Sequence, residues 1–181
     1  MALVLTASLG VTAFAAGNAI TLSAASGVEV NDTSSAITAY MGESASTASL
    51  NAVVTSDYTD TLNRLYWSVA NTAVASFPGT TVGNYNTTIS AGTTSAQLTL
   101  NSIGNTTLTV GNAAYFGTTG ILTGTKTGRV YTLSVVQDAV SAVTISGDAA
   151  RTLSCGDSAN LTASVAYTHG TTGSAVTWIS S

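Results

Sequence analysis

Carboxylate side chains are the residues of this sequence with the clearest potential for chemistry. General acid–base catalysis requires two of them placed together, or one beside a nucleophile. Eight are present, scattered along the chain: Glu29, Asp32, Glu43, Asp57, Asp60, Asp138, Asp148 and Asp157. Only Asp57 and Asp60, in the segment SDYTDTLN, are close in sequence. Loop carboxylates with backbone carbonyls are typical Ca²⁺ ligands, so this pair is a candidate calcium site, although a solvated turn between two strands explains it equally well.

The single cysteine and the single histidine form no recognisable catalytic pair. Cys155 lies in TLSCGDSANL and His169 in the loop THGTTG. A lone cysteine cannot form an internal disulfide, and we interpret it as a small buried hydrophobe. One residue of each kind also falls short of a conventional zinc site. We therefore predict a protein that is not an enzyme, and assign no catalytic, cofactor-binding or metal-binding residue.

The composition predicts an all-β protein. Hydrophobic residues make up 45% of the 181 residues, enough for a core, whereas charged residues make up only 7%. An ordinary soluble domain has roughly 25% charged residues, and Lys, Glu and Arg are the usual material of helix surfaces. Here the polar residues are mostly Thr, Ser, Asn and Gly. Thr suits a pleated, half-exposed strand, and Asn and Gly suit turns.

The charge distribution excludes nucleic acid as a partner. The net charge is −4, and the four cationic side chains are scattered along the chain: Arg64, Lys126, Arg129 and Arg151. A nucleic-acid site needs clustered cations that displace counterions from phosphates.

The first residues resemble an export signal. Residues 2–14 form an apolar run of signal-peptide length, and Ala13-Phe14-Ala15 fits the small-x-small cleavage rule, which predicts a signal peptide over 1–15. No Lys or Arg precedes the run, so we expect this peptide to be incomplete at its N-terminus. The alternative is a first β-strand of the mature domain. No later apolar stretch is long enough to cross a membrane, so we predict no membrane span in the mature chain.

Alternating apolar and polar residues predict a succession of short strands. In AQLTL, for example, Leu98 and Leu100 share one face. Around Trp67 the same alternation places Leu65, Trp67 and Val69 on the core face. The predicted strands are 20–24, 28–30, 36–40, 48–55, 63–69, 73–77, 82–90, 95–101, 105–116 and 129–136, with hairpin tips at Gly104-Asn105 and Lys126–Gly128.

The sequence contains an internal repeat. Leu50 and Trp67 are 17 positions apart, as are Leu161 and Trp178, so both residues recur at an offset of 111. The repeat predicts one complete domain over 16–137 and a truncated start of a second domain over 138–181, because the second copy stops just after its tryptophan. We expect the natural protein to continue. Asp138, at the domain junction, is a candidate ligand for an interdomain ion.

These residues resemble the bacterial immunoglobulin-like domain of group 2, which occurs in invasin- and intimin-like adhesins. The resemblance rests on a Gly-acid pair before an apolar strand, on Trp67-Ser68, on the segment Asn-x-x-Val-Ala and on a closing strand. The matching segments are Gly42-Glu43 and Gly156-Asp157, the strands 50–54 and 161–165, the segment 71–75, and VYTLSVV from Val130. Residues 79–97 look like an insertion relative to the family pattern.

The resemblance implies an immunoglobulin-like β-sandwich and a bacterial, secreted or cell-surface location. It also implies a noncatalytic structural or adhesive module that spaces or presents a binding region. Its partners would be neighbouring immunoglobulin-like repeats of the same chain, and a host or cell-surface protein or glycan.

Two alternatives remain open at this point. The chain is also consistent with an accessory or carbohydrate-binding module of a secreted polysaccharide-degrading enzyme, in which Tyr58, Tyr85 and Tyr115 would line a glycan groove. The other alternative is a decoration on a phage or surface-layer particle. The export signal argues against the phage version of this alternative.

Overall fold

The computed structural model describes residues 19–43, 46–55, 58, 63–79, 85–89, 93–117, 125–147 and 152–179. The predicted signal peptide over 1–15 lies outside the described residues. Within them the chain forms thirteen strands and one short helix: β1 (Ile20–Ser26), β2 (Val28–Asn31), β3 (Ala36–Met41), β4 (Ser46–Val54), β5 (Arg64–Val69), β6 (Ala75–Ser76), β7 (Tyr85–Thr88), β8 (Thr93–Leu100), β9 (Gly104–Gly111), α1 (Ala113–Phe116), β10 (Gly128–Gln137), β11 (Val140–Ser146), β12 (Thr162–Tyr167) and β13 (Thr172–Gly173).

The strands form three sheets, which confirms the prediction of an all-β protein. The first sheet has the order β1-β4-β8-β6, the second β2-β3-β10-β9-β5-β7 and the third β11-β12-β13. Strands β3 and β10 pair in parallel, and the other pairs are antiparallel. In the described part of the chain, no helix has the length and apolar character needed to cross a membrane.

Two local sequence predictions are wrong. The strand predicted over 105–116 ends at Gly111, because the Asn112 side chain accepts a hydrogen bond from the Tyr115 amide and caps the one-turn helix α1. Gly104-Asn105 is not a hairpin tip. It begins β9 in the second sheet, after the chain has left β8 in the first.

Among the described residues, one hydrophobic core fills the space between the first and second sheets. It is built from alternate residues of β1, β4 and β8 on one side and of β5, β9 and β10 on the other, and its largest fully buried side chains include Trp67, Tyr131, Leu50, Leu98, Leu108 and Leu133. The Trp67 indole packs against the Phe77 ring, with 5.9 Å between ring centroids, and donates a hydrogen bond of 2.9 Å to Thr87 Oγ1. Leu65 is also fully buried, and Val69 packs against the core, as the alternation predicts.

A charged cluster connects the edges of these two sheets. The Asp32 carboxylate follows β2 and accepts hydrogen bonds from Arg129 at 2.6 Å, from the Tyr131 hydroxyl at 2.6 Å and from the Leu22 amide at 3.1 Å. Arg129 also donates to the Ile20 carbonyl, so β10 of the second sheet is bonded to β1 of the first. Burial alone would raise the pKa of Asp32, but the hydrogen bonds from Arg129, Tyr131 and Leu22 together hold that pKa below its usual value.

The third sheet reproduces the register of β1 and β4. In both strand pairs, two apolar residues at alternate positions of one strand pair with apolar residues of the other. The positions in β11 are those in β1 plus 123, and the positions in β12 are those in β4 plus 111. The pairs are Ile20↔Val54 and Leu22↔Ala52 in the first sheet, and Val143↔Val165 and Ile145↔Ala163 in the third. The environments differ, because Ile20 and Leu22 are buried whereas Val143 is 54% exposed and Ile145 is 50% exposed.

Removal of the Arg129 guanidinium tests the cluster. We expect Arg129→Met to lower the free energy of unfolding by about 1–3 kcal/mol at pH 7, because Asp32 loses its charged donor. The lowered pKa of Asp32 means that its contribution is complete above the unfolded value and is lost as the pH falls through the lower folded value. The difference between wild type and variant, measured by urea denaturation, should therefore shrink towards pH 3. Lys126→Met, at an exposed position, is the control, and an equal Arg129→Met effect at both pH values would contradict this account.

The two tryptophans provide a matched test of the core. We expect Trp67→Ala to lower the free energy of unfolding by about 3–5 kcal/mol, because the substitution leaves a cavity among fully buried residues. Trp178→Ala, at the repeat-equivalent position, should cost less than about 1 kcal/mol, because that side chain is 51% exposed. Guanidinium denaturation measures both, and equal costs would show that Trp178 is as important to the fold as Trp67.

Candidate functional site

Within the described residues, a hydrogen-bonded polar site lies where the second sheet meets the third. We call it the joint, and it consists of Glu29, Tyr40, Glu43, Asp138, Tyr167, His169, Thr171, Ser174 and Ala175. Strand β10 ends at Gln137 and β11 begins at Val140, so two residues connect the sheets. Both are bonded, since the Asp138 amide donates to the Met41 carbonyl at 2.9 Å and the Thr168 amide donates to the Ala139 carbonyl at 2.8 Å.

The Asp138 carboxylate is the buried centre of the joint. Its side chain is 0% exposed. It accepts hydrogen bonds from the His169 amide at 3.1 Å and from the Thr171 hydroxyl at 2.9 Å, and its Oδ1 lies 2.8 Å from His169 Nδ1. Burial alone would raise the pKa of Asp138, but the hydrogen bonds from His169 and Thr171 outweigh it and lower that pKa. The donors thus compensate the cost of burying a charge.

The His169 ring lies on residues of the second sheet. It stacks on Tyr40 with 3.4 Å between ring centroids and an interplanar angle of 5°. Its Nε2 atom lies 3.7 Å from Glu29 Oε1, at the exposed side of the joint. A hydrogen bond to Glu29 is the main cause of a raised pKa of Tyr40, and burial and the charges of Glu29 and Asp138 add to it. The ring therefore fixes β3 against the turn after β12.

Glu43 makes a second anchor beside Asp138. Its carboxylate accepts hydrogen bonds from the backbone amides of Ser174 at 3.0 Å and Ala175 at 2.9 Å, and from the Tyr167 hydroxyl at 3.3 Å. The two backbone hydrogen bonds are the main cause of a lowered pKa of Glu43. A Cβ at Gly173 would collide with the Glu43 carboxylate, so a side chain at this position would displace that carboxylate from its amide donors.

The Asp138 and Glu43 carboxylates of the joint each accept at least three hydrogen bonds from donors of β12 and of the residues that follow it. A cation would need several oxygen acceptors turned towards one point, whereas the groups around Asp138 and Glu43 are N–H and O–H donors. Among the residues that the structure describes, no three His, Cys, Asp or Glu side chains are grouped as metal ligands. Asp138, the candidate ligand for an interdomain ion, accepts hydrogen bonds from residues between β12 and β13 of the third sheet. Asp57 and Asp60, the candidate calcium ligands, lie outside the described residues.

The other candidate residues have separate environments. Cys155 is exposed, so the prediction of a buried hydrophobe is wrong, because residues 152–161 form an irregular segment with exposed side chains. The three tyrosines make different contacts. The Tyr58 hydroxyl donates to the Arg64 carbonyl at 2.7 Å, Tyr85 stacks on Phe77, and Tyr115 lies in α1 with its ring edge-on to Phe116.

The sequence predictions missed the partners of the joint. The sequence distinguishes Asp138 only by its place at a domain boundary, and Glu43 only as part of a Gly-acid pair. His169 is a candidate there for catalysis and not for a contact between sheets. The available signal is the single histidine of the chain, in a loop that follows the predicted strand 161–165.

The comparisons with known proteins do not identify the chain. No family model matches it, and no curated protein matches it. The resemblance to bacterial immunoglobulin-like domains therefore remains a prediction from the sequence motifs.

Asp138→Asn tests the anchor with little change of shape. We expect faster hydrogen exchange at the His169 amide, because the side-chain amide oxygen of Asn is a weaker acceptor than a carboxylate oxygen. We also expect the free energy of unfolding at pH 7 to fall by about 1–3 kcal/mol, because the NH₂ group of Asn faces other donors. Since the pKa of Asp138 is lowered in the folded chain, the wild-type advantage is present above the unfolded pKa and is lost as the pH falls through the folded one.

Asp157→Asn is the matched control. The Asp157 carboxylate is exposed and accepts a hydrogen bond from the Ser154 amide within one turn. Its substitution should leave the exchange at His169 unchanged. Unaltered protection of the His169 amide in Asp138→Asn would show that the carboxylate does not hold the joint.

Proposed function

We propose that this chain is a noncatalytic, extracellular structural or adhesive module of a bacterial surface or secreted protein. In this proposal, tandem immunoglobulin-like β-sandwich repeats space or present a binding region. The joint carries the proposal. A short connection anchored by two carboxylates is what a rod of repeats needs in order to transmit position from one repeat to the next.

The strand order supports the immunoglobulin-like part of the proposal. In that fold, strands A, B, E and D form one sheet, and G, F and C form the other, which variable-type domains extend with C′. Here β1, β4, β8 and β6 occupy the A, B, E and D places, and β10, β9 and β5 occupy the G, F and C places. The match is to the positions of these strands: β2 and β3 extend the second sheet beyond β10, and β7, beside β5, follows β6 in the chain, whereas C′ precedes D in the immunoglobulin fold. Trp67 then lies on strand C, where the immunoglobulin fold of antibodies also buries a tryptophan.

The motif residues have structural roles that agree with the resemblance. In the Asn-x-x-Val-Ala segment, Asn71 Oδ1 accepts a hydrogen bond from the Ala73 amide at 3.1 Å and closes a turn. The turn directs Val74 and Ala75 into the core. The segment thus determines how the chain passes from strand C to strand D, which explains why Asn, Val and Ala occupy these positions.

The matched registers support the tandem part. If 138–181 begins a second copy of the domain over 16–137, its first two strands should pair as β1 and β4 do. The pairs Val143↔Val165 and Ile145↔Ala163 meet this condition at constant offsets. The joint then connects one repeat to the next, so that neighbouring repeats are the first partners of each domain. The partner at the presenting end would be a host or cell-surface protein or a glycan.

Small-angle X-ray scattering of the full chain tests the spacer function. We expect one narrow distribution of dimensions for the wild type. The double variant Asp138→Ala/Gly173→Ala should broaden it, because one substitution removes the buried anchor and the other displaces the Glu43 carboxylate. Asp157→Ala with Ser158→Ala, at two exposed positions of the third-sheet segment outside the joint, is the matched control.

An equally broad distribution in wild type and variant would contradict the spacer function. The same samples can be applied to a glycan array. Binding that is lost on substitution of Tyr85 or Tyr115 by Ala would replace the proposal with the carbohydrate-binding module of a secreted enzyme.

A further inference from the structure

The His169 ring of the joint is held between two carboxylates from different elements. Its Nδ1 atom lies 2.8 Å from Oδ1 of Asp138, in the connection between β10 and β11. Its Nε2 atom lies 3.7 Å from Oε1 of Glu29, on β2 of the second sheet. One face of the ring stacks on Tyr40 of β3. A side chain that follows β12 therefore contacts, through both nitrogens and one face, groups that precede the third sheet in the chain.

The charge of the ring decides how many of these contacts are attractive. A neutral imidazole has one N–H donor and one lone pair, whereas an imidazolium has two N–H donors. The Asp138 carboxylate is an acceptor, so Nδ1 carries the proton of the neutral ring. The lone pair of Nε2 then faces the Glu29 carboxylate. Protonation of Nε2 replaces this repulsion with an ion pair, so only the charged ring attracts both carboxylates.

Four other ionisable groups of the joint keep a constant charge between about pH 5 and 8, where histidine ordinarily titrates. Despite the effect of burial, hydrogen bonds hold the pKa of Asp138 below its usual value, and bonds from two backbone amides do the same for Glu43. Hydrogen bonding to a carboxylate raises the pKa of Tyr40, and burial raises that of Tyr167. Since carboxylates ordinarily lose their protons below about pH 5, His169 is the group of the joint that gains or loses a proton in this range.

We propose that His169 is a pH-dependent switch of the joint: protonation of its ring tightens the second sheet against the third, and loss of the proton loosens them. The linkage is reciprocal, because a proton that binds better to the closed joint also favours its closure. The added stability is present at the acid end of the range and is lost as the pH rises through it. The inference rests on the proposed spacer function, since it adds regulation to the same joint.

Amide hydrogen exchange of the full chain at pH 5.5 and pH 8 tests the switch. The His169 amide donates to the Asp138 carboxylate and the Thr168 amide donates to the Ala139 carbonyl, so both amides report opening of the joint. Comparison with the intrinsic chemical rate at each pH converts each exchange rate into a protection factor. We expect both protection factors to be about two- to fivefold higher at pH 5.5, the effect of a partly exposed ion pair.

Two variants assign the response to the ring and its carboxylates. His169→Gln has no group that titrates in this range, so the Thr168 amide should be equally protected at both pH values. Glu29→Gln, at a side chain that is 66% exposed, should reduce the ratio, because one of the two carboxylates that attract the imidazolium is removed. Asp157→Asn, at an exposed position outside the joint, is the matched control and should keep the wild-type ratio.

The possible outcomes separate the switch from the spacer function. Equal protection of the wild type at both pH values, higher protection at pH 8, or an unchanged ratio in Glu29→Gln would overturn the switch and leave the spacer function standing. A wild type without protection at either pH would overturn both, because the joint would then be open throughout.

Discussion

The inward faces of the first and second sheets cover each other, and the rest of the described structure depends on this contact. A sheet with one apolar face is stable only when another layer removes that face from water. Trp67, Leu98 and Leu133 belong to this core, and each is fully buried. The Asp32–Arg129 cluster then bonds the edge of one sheet to the other. Its carboxylate is only partly exposed, so the charge contributes through directed hydrogen bonds more than through long-range attraction.

The same constraint explains the third sheet. Its first two strands have the register of β1 and β4, yet the apolar residues of β11 are half-exposed. What holds this sheet in place within the described chain is polar. The Asp138 and Glu43 carboxylates bind amides and hydroxyls of the residues that follow β12, and the His169 ring stacks on Tyr40. Hydrogen bonds are directional, so they determine the orientation of the third sheet relative to the second more sharply than apolar burial alone would.

The sequence predicted the elements better than it predicted the contacts between them. Period-two alternation is local, so most strands and the core face of Trp67 could be read from consecutive residues. Asn112 ended a predicted strand early because a side chain that bonds to nearby amides competes with the strand ladder. Beyond the place of Asp138 at the predicted domain junction, the contacts of the joint could not be read from the sequence. Glu43 meets the Ser174 amide across 131 positions, and no local pattern encodes which backbone amide a carboxylate will find. Cys155 was misjudged for a related reason, because its exposure depends on the irregular path of residues 152–161.

The hydrogen bonds of the joint should make the second and third sheets one rigid body. Amide ¹⁵N relaxation of the full chain measures this directly, through the rotational correlation times of β9 in the second sheet and β12 in the third. We expect equal correlation times for the two strands, which is the behaviour of a single tumbling unit. A clearly shorter correlation time in β12 than in β9 would show that the third sheet moves independently of the second, and would contradict the role assigned to the joint.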